Sequence, residues 1–170
     1  MRQKKFNNKI LPLSGKIYSY SYRILGNKDD AKDVVQDIML KLWDNRKDLD
    51  RYENPTGYIM RTTRNYCIDI IRKNQKHRTE EVNESHMINF FHEDNRLEID
   101  ESMKYIRKII KTLPSVQQEV VVLKDFEGFT NEEISEITSL GENNIRVILS
   151  RCRKHIKEQL INKYDIKNPL

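Results

Sequence analysis

The sequence predicts an all-α protein, built from two small helical domains that are joined by a flexible acidic linker. Only 5 glycines and 4 prolines occur among the 170 residues, and most of them lie at the ends of apolar patterns. Hydrophobic residues recur with the period of an amphipathic helix, and no segment shows the sustained alternation of a β-strand. We place the first domain at residues 11–78, the linker at 79–100 and the second domain at 101–162.

The charge distribution favours a polyanionic partner. Lysine and arginine outnumber aspartate and glutamate by 31 to 26, which gives a formal net charge of +5. A mild basic bias of this kind suits nucleic acid. Basic residues are concentrated between positions 54 and 78, and acidic residues predominate in the linker that follows. Opposed charge blocks indicate two nucleic-acid surfaces separated by an acidic tether.

Several functional classes are excluded by the composition. Cys67 and Cys152 are far apart, and the four histidines lack metal-ligand spacing, so we expect no disulfide, metal site or cofactor. The sequence contains no nucleophile–base pair and no phosphate-binding glycine loop, so we expect a protein that is not an enzyme and has no small-molecule substrate. No window approaches a membrane span. With its cysteines expected to be reduced, the chain is predicted to be cytoplasmic, without membrane insertion.

Three helices are predicted in the first domain. Apolar residues at helical spacing indicate the first over residues 16–25. Asn27 is a capping signal for a second helix over residues 28–43. A polar segment then leads to Pro55, which suits the first position of a helix, and the third helix is predicted over residues 55–76.

The linker has no firm pattern, and a helical turn is expected only around residues 86–91. Periodic apolar residues resume at the start of the second domain and predict a helix over residues 101–111. The dipeptide Leu113-Pro114 interrupts that helix, because proline cannot continue an α-helix.

Two capping boxes mark the next helices of the second domain. In each, a hydroxyl residue precedes a Glu or Gln by three positions, so that side chains and backbone amides satisfy one another. Ser115 with Gln118 forms the first of these patterns, and Thr130 with Glu133 forms the second. The helices that they open are predicted over residues 116–126 and 131–138.

The last helix, predicted over residues 143–160, completes a helix-turn-helix after a tight turn at Gly141. The second helix of such a unit fits the major groove of DNA. Its apolar residues gather on one side, so the opposite side is available for phosphates and base edges. The alternative is an ordinary solvated charged surface. The outward side carries Asn143, Arg146, Val147, Ser150, Arg151, Arg153, Lys154 and Lys157.

The helix over residues 55–76 has the same division into an apolar and a basic side. Opposite its apolar side lie Tyr58, Arg61, Asn65 and Arg72. Together with Tyr52, Tyr58 can stack on unpaired bases, because every base has a π-face. The alternative for both tyrosines is a partly buried packing role, and considered alone they favour that alternative.

The helix over residues 28–43 carries an acidic stripe. Asp33, Gln36 and Asp37 meet at i, i+3 and i+4 spacing, with Leu40 among them. Acidic groups around an exposed leucine are unsuited to binding DNA, and they suit a basic protein partner. The alternative is a solvated acidic surface, which the spacing alone would favour.

Taken in order, these segments resemble the extracytoplasmic-function (ECF) group of bacterial RNA polymerase sigma factors. Residues 22–43 look like region two of that family, and residues 54–72 resemble the promoter-melting helix of the same domain. Leu113-Pro114, residues 119–130 and the helix-turn-helix are similar to region four. The resemblance implies a fold of two helical domains, sigma region 2 and sigma region 4. It also implies a function, binding core RNA polymerase and directing promoter-specific initiation of transcription.

The resemblance implies a role for each surface. On the helix that grips the polymerase, the implied residues are Asp33, Gln36 and Asp37, with Leu40 among them. On the helix that recognises and opens the downstream (minus-ten) element, the implied residues are Arg61, Arg64, Asn65, Arg72 and Lys73, with Tyr58. In the loop that precedes this helix, Tyr52 and Asn54 are the implied candidates for capturing a flipped base. On the helix that reads the upstream (minus-thirty-five) element they are Asn143, Asn144, Arg146, Arg151, Arg153 and Lys154, with Val147 and Ser150 on the same side.

The partners implied by the resemblance are core RNA polymerase, promoter DNA and an anti-sigma factor. One alternative is a helix-turn-helix transcriptional regulator that is not associated with core polymerase. Such a regulator would need a ligand or receiver domain, and the first half of the chain lacks the alternating strands of a receiver. A helical adaptor with incidental basic surfaces is a second alternative, which would lack the steep salt dependence of phosphate binding.

Overall fold

A computed structural model describes residues 3–52, 54–76, 90–91 and 100–164. The regular secondary structure within these ranges is helical, which confirms the predicted all-α fold. None of the described helices is both long and apolar enough to cross a membrane. The helices are α1 (Gln3–Lys9), α2 (Ser14–Leu25), α3 (Lys28–Asp44), α4 (Pro55–Lys76), α5 (Glu101–Lys111), α6 (Ser115–Val121), α7 (Asn131–Thr138) and α8 (Glu142–Tyr164), with 3₁₀ turns at Leu11–Leu13 and Asp48–Arg51 and a π-helical turn at Val122–Phe126.

Helices α2, α3 and α4 pack around an apolar core in the first half of the chain. Ile17 and Tyr20 of α2, Ile38 of α3, and Ile59 and Met60 of α4 are fully buried. Each helix therefore turns its apolar side inward, as its periodicity predicts, and leaves its polar side exposed.

The junction between α2 and α3 follows the predicted capping chemistry. Gly26 ends α2 with a φ of 71°, a left-handed conformation that glycine adopts without steric cost. The side-chain oxygen of Asn27 then accepts hydrogen bonds from the backbone amides of Asp29 and Asp30, at 2.8 and 3.2 Å. This cap satisfies two amides that the first turn of α3 leaves without helical partners.

Helix α1 is absent from the sequence-based predictions. Six of its seven residues are basic or polar, and the seventh, Phe6, is buried. The ring of Phe6 meets Trp43 edge-on, with 5.1 Å between ring centroids, and Lys5 pairs with Asp50. A single apolar anchor gives no periodic stripe, so this helix depends on tertiary contacts rather than on a local pattern.

The helix-turn-helix of the second half is formed by α7 and α8. Thr130 accepts a hydrogen bond from the amide of Glu133 at 3.1 Å, and the Glu133 carboxylate accepts from the amide of Thr130 at 2.8 Å. The predicted capping box at the start of α7 is therefore confirmed. Ile134, Ile145 and Leu149 are buried where the two helices pack together.

The capping box predicted at Ser115 is not formed. Pro114, with an extended ψ of 145°, precedes α6, and Ser115 already lies in the first turn. The Gln118 amide group instead donates to the carbonyls of Lys111 and Leu113, at 3.2 and 2.7 Å. Proline is tolerated at the start of a helix, so α6 begins one residue earlier than the Ser–Gln pattern predicts.

The turn between α7 and α8 includes Gly141, as predicted. The residue with a left-handed backbone in this turn is Ser139, with a φ of 61°. Gly141 precedes α8, and its carbonyl accepts from the amide of Ile145 at 3.1 Å. The Ser135 hydroxyl donates to the carbonyl of Leu140 at 2.6 Å, which ties the turn to α7.

The two halves of the chain pack against each other, with α7 lying along α4. Between the two halves, Phe90 and Phe91 of the linker are buried. Residues 79–89 and 92–99 of the linker, with most of the helical turn expected at 86–91, lie outside the described residues.

Replacing Thr130 by alanine removes the hydroxyl that caps α7. We expect a loss of about 1 kcal/mol in the free energy of unfolding, because two backbone amide interactions depend on this capping box. Urea denaturation followed by circular dichroism measures the change. Thr130→Ser, which keeps the hydroxyl, is the matched control, and equal stability of Thr130→Ala and the parent would contradict the assignment.

Candidate nucleic-acid and polymerase interfaces

The acidic stripe on α3 is a continuous exposed surface. Asp33, Gln36 and Asp37 are exposed, and Leu40 is 63% exposed beside them. Asp37 accepts a hydrogen bond from the Tyr66 hydroxyl at 2.6 Å. This bond raises the pKa of Tyr66, because loss of the phenolic proton would place a second negative charge beside the carboxylate. The structure brings the four predicted residues together on one side of the helix.

Two tyrosines stack at the start of α4. The rings of Tyr52 and Tyr58 lie 4.2 Å apart at an interplanar angle of 18°, and Tyr52 remains 40% exposed. Desolvation and the neighbouring Tyr58 raise the pKa of Tyr52. The Asn54 side chain accepts from the amide of Thr56 at 3.1 Å, so it caps the first turn of α4. The tyrosines pack on each other and still present an aromatic surface.

The remaining residues predicted on α4 divide into two groups. The exposed group contains Arg61, Asn65, Arg72 and Lys73. The guanidinium of Arg72 lies 3.8 Å from the carboxylate of Asp69, three residues earlier on the same helix. These residues form the basic outer surface that the helical spacing predicts. Arg64 belongs to a separate environment.

Arg64 points toward the second half of the chain. Its guanidinium donates two hydrogen bonds to Glu119, from Nε at 2.6 Å and from Nη2 at 3.0 Å. The hydrogen bond to the Glu119 carboxylate raises the pKa of Arg64 above its usual value. Glu119 is 4% exposed and also accepts from the Tyr20 hydroxyl at 2.5 Å. No local pattern predicts this cluster, because its members lie far apart in sequence.

The basic surface of α8 is exposed to solvent. All eight residues predicted there are exposed, including Val147 at 44%. Arg146 pairs with Glu142 at 3.1 Å and Arg153 pairs with Asp125 at 2.5 Å. Exposed ion pairs contribute little stability. Both arginines can therefore exchange these carboxylates for phosphates at small cost.

An apolar groove of about 430 Å³ lies between α5 and the end of α8 and is absent from the sequence-based predictions. Met103, Ile106 and Ile110 line one wall at i, i+3 and i+7 spacing, and Ile156 and Leu160 belong to the other. The i, i+3 and i+7 spacing of these apolar residues is the sequence signal from which the groove could have been predicted. The apolar stripe on α5 packs into the core at one end and extends to the surface at the other.

The two cysteines are buried and unpaired with each other. Burial raises the pKa of the Cys67 thiol to about 11, and burial also raises that of Cys152. Thiols with raised pKa values react slowly at neutral pH, because the thiolate is the nucleophile. Their positions are those of small core residues.

Comparison with known proteins identifies both halves of the chain. Residues 11–77 match the family model of sigma-70 region 2, and residues 103–156 match that of sigma-70 region 4. The chain is 26% identical over 156 residues to the ECF RNA polymerase sigma factor SigE of Mycolicibacterium smegmatis, and 27% identical over 156 residues to the ECF RNA polymerase sigma factor SigW of Bacillus subtilis. The chain belongs to the ECF sigma factors.

The matches cover most of this sigma factor and different shares of its relatives. The alignments take in 85% of the chain in both cases, but 57% of SigE and 83% of SigW.

Sigma factors are transcription initiation factors rather than enzymes. A helix-turn-helix regulator that does not associate with core polymerase is not favoured, because the region 2 match accounts for the half of the chain outside the helix-turn-helix.

Solved structures show the same fold. The structure of the sigma factor RpoE in complex with the anti-sigma factor NepR, from Bartonella quintana, matches 92% of this chain and 97% of its own chain, with a TM-score of 0.63 and 22% identity. CnrH, solved in complex with the cytosolic domain of CnrY, matches 94% of this chain and 89% of its own, with a TM-score of 0.58 and 19% identity.

Proposed function

We propose that this chain acts in the cytoplasm, where it binds core RNA polymerase and directs it to a specific class of promoters. The observation that carries the proposal is the order of the two matches, region 2 followed by region 4, each with an exposed basic helix. Two basic helices on separate modules suit two DNA elements, and an acidic surface elsewhere suits the enzyme.

The polymerase-binding role falls to the acidic stripe of α3. Asp33 and Asp37 supply negative charge, Gln36 supplies a hydrogen-bonding amide, and Leu40 supplies an exposed apolar anchor. Energetic centres of protein interfaces commonly combine an apolar anchor with a polar rim. Complementary charge adds specificity and speeds association with a basic partner.

The role of opening the downstream element falls to α4 and the residues before it. The exposed residues Arg61, Arg72 and Lys73 suit phosphates, and Asn65 can hydrogen-bond to a base edge. The stacked pair of Tyr52 and Tyr58 offers an aromatic platform for an unstacked base. Asn54 and Arg64 complete the proposed set, although each has another partner in this structure.

The role of reading the upstream element falls to α8. Its basic residues suit phosphates and guanine edges, Asn143 and Asn144 suit adenine, and Val147 offers a methyl surface to thymine. We propose Ser150, Arg151, Arg153 and Lys154 as further contacts along the same helix. The outward presentation of the whole surface supports this role.

We also propose the domain limits 11–78, 79–100 and 101–162, and an anti-sigma factor as a regulatory partner. The family matches at 11–77 and 103–156 support the limits. The fold shared with RpoE, a sigma factor solved with its anti-sigma factor, motivates the partner. The apolar groove between α5 and the end of α8 offers such a partner a surface, and Arg153 of the proposed DNA-binding side of α8 lies at its border.

Run-off transcription tests the proposed function. Purified core polymerase is supplied with the DNA upstream of the operon that encodes this protein, with and without the chain. We expect a discrete transcript only when the chain is present. Equal transcription by core polymerase alone would refute the proposal.

Replacing Asp33 and Gln36 together by alanine should weaken binding to core polymerase, because it removes a charge and an amide from the exposed stripe. Co-purification of the variant with core polymerase measures the loss, and circular dichroism reports whether the helices remain. Glu101→Ala removes one acidic charge at the exposed start of α5 and is the control. Retention of the variant at the level of the parent would count against the α3 assignment.

Replacing Arg146 by alanine should weaken binding to duplex DNA that carries the upstream element. If Arg146 contacts a phosphate, the slope of log affinity against log salt should fall by about 1. Fluorescence anisotropy at several salt concentrations measures both quantities. Lys111→Ala, at the exposed end of α5, should leave both unchanged, and equal losses in the two variants would refute a specific role for α8.

A further inference from the structure

One carboxylate of the acidic stripe is held by a side chain from another helix. The hydroxyl of Tyr66, on α4, donates a hydrogen bond to Oδ2 of Asp37 at 2.6 Å. A hydrogen bond from a hydroxyl to a carboxylate is charge-assisted, and a length this short is typical of strong examples. The surface proposed for the polymerase on α3 is therefore joined to α4 through one directional contact.

The periodicity of α4 places Tyr66 for this contact. Thr63 and Cys67 are fully buried on the inner side of the helix, and Asn65 is exposed on its outer side. Tyr66 is partly buried between these two sides. Because successive residues of an α-helix point about 100° apart, Tyr66 faces α3 while its neighbour Asn65 faces solvent.

The two carboxylates of the stripe keep their negative charge. Asp33 and Asp37 repel each other at i, i+4 spacing. Across the described ranges of the chain no lysine or arginine forms an ion pair with either of them, and Lys32 pairs instead with Asp29 at 2.9 Å. A phenolic hydroxyl differs from a cation because it restrains a carboxylate without neutralising it. Asp37 therefore has a fixed direction and remains attractive to a basic partner.

The hydrogen bond leaves most of the Asp37 carboxylate available. An ionised carboxylate has two oxygens with about four lone-pair sites, and the Tyr66 hydroxyl occupies one site on Oδ2. Asp37 is exposed, so a lysine or arginine of a partner can approach Oδ1 while Tyr66 stays bonded. The hydrogen bond to Asp37 also raises the pKa of Tyr66, so the phenol remains a donor at neutral pH.

A side chain that is ordered in advance lowers the cost of binding. An exposed aspartate samples several rotamers in a free protein, and an interface selects one of them at a cost in entropy. At Asp37 the hydrogen bond makes that selection within the free chain. The entropy that an interface would otherwise lose at this position is lost during folding instead.

We propose that Tyr66 is a positioning residue for core RNA polymerase, and that its hydroxyl holds the Asp37 carboxylate in the orientation that a basic surface of the enzyme recognises. The inference rests on the proposed function, which assigns the acidic stripe of α3 to the polymerase. It extends the docking surface from α3 onto α4, beside Asn65 of the set proposed for DNA. One helix then supports the enzyme contact on one side and presents the promoter-binding residues on another.

A double-mutant cycle tests whether the Tyr66 hydroxyl acts through Asp37. Tyr66→Phe removes the hydroxyl and keeps the ring, and Asp37→Ala removes the carboxylate. The cycle compares Tyr66→Phe in the parent and in the Asp37→Ala background, because residues in direct contact give non-additive effects. Tyr105→Phe is the matched control, since it removes the hydroxyl of another partly buried tyrosine, on α5.

The measurement is the dissociation constant of the chain for core RNA polymerase, obtained by fluorescence titration at fixed salt. We expect Tyr66→Phe to weaken binding about three- to tenfold, as the cost of ordering one side chain at an interface requires. In the Asp37→Ala background the same change should have no effect, and Tyr105→Phe should match the parent. Helical content by circular dichroism and affinity for upstream-element duplex DNA should be the same in Tyr66→Phe and the parent.

Several results would overturn the positioning role of Tyr66. Unchanged affinity of Tyr66→Phe would show that the hydroxyl is not used, and tighter binding would show that it withholds Asp37 from the polymerase. An equal loss in both backgrounds would show that the hydroxyl acts independently of Asp37. A loss that accompanies reduced helical content, or that Tyr105→Phe shares, would indicate a general structural effect and would also refute the role.

Failure of the proposed function gives a different pattern in the same titration. If neither the parent nor any variant binds core polymerase, the sigma-factor function itself is wrong. If the parent binds and Asp37→Ala binds equally well, the function stands, but the assignment of Asp37 to the polymerase and the role of Tyr66 are both wrong.

Discussion

The arrangement of the two halves depends on one buried carboxylate, that of Glu119. A carboxylate removed from water is costly unless its charge is compensated and its oxygens accept hydrogen bonds. Tyr20 and Arg64 meet both requirements, and both belong to the first half. Burial and the adjacent carboxylate raise the pKa of Tyr20, so its hydroxyl remains a donor at any physiological pH. Withdrawing either half would leave this network incomplete.

The contact between the halves affects the candidate functional surfaces unequally. The acidic stripe of α3 and the basic side of α8 are exposed, and so are Arg61, Asn65, Arg72 and Lys73 of α4. Arg64 is bonded to Glu119, and Gly57 of the same helix faces α7. Arg64 therefore belongs both to the contact between the halves and to the set of residues proposed for DNA.

Local chemistry made most of the helical order predictable. Pro55 opens α4, Asn27 caps α3 and Thr130 caps α7, each through interactions within a few residues. The acidic and basic surfaces also follow from helical periodicity alone, so their exposed positions agree with the sequence. The predicted DNA and polymerase roles of these residues remain proposals that the fold supports.

What escaped prediction depends on contacts between distant residues or on backbone geometry. Helix α1 is held by Phe6 against Trp43, which lies 37 positions later (43 − 6). The left-handed turn residue is Ser139 although glycine occurs two positions later, because the chain reverses directly after α7 ends. The partnership of Glu119 with Tyr20 and Arg64 spans 99 and 55 residues, and no local pattern reveals which charges will meet.

The central claim is that the buried carboxylate of Glu119 holds the two halves together through Tyr20 and Arg64. Glu119→Gln tests it most directly, because this change keeps the shape of the side chain and removes its charge. Small-angle X-ray scattering of the free protein measures the radius of gyration. The account predicts a larger radius of gyration for Glu119→Gln than for the parent, with the helical content retained by circular dichroism. An unchanged radius of gyration would contradict it.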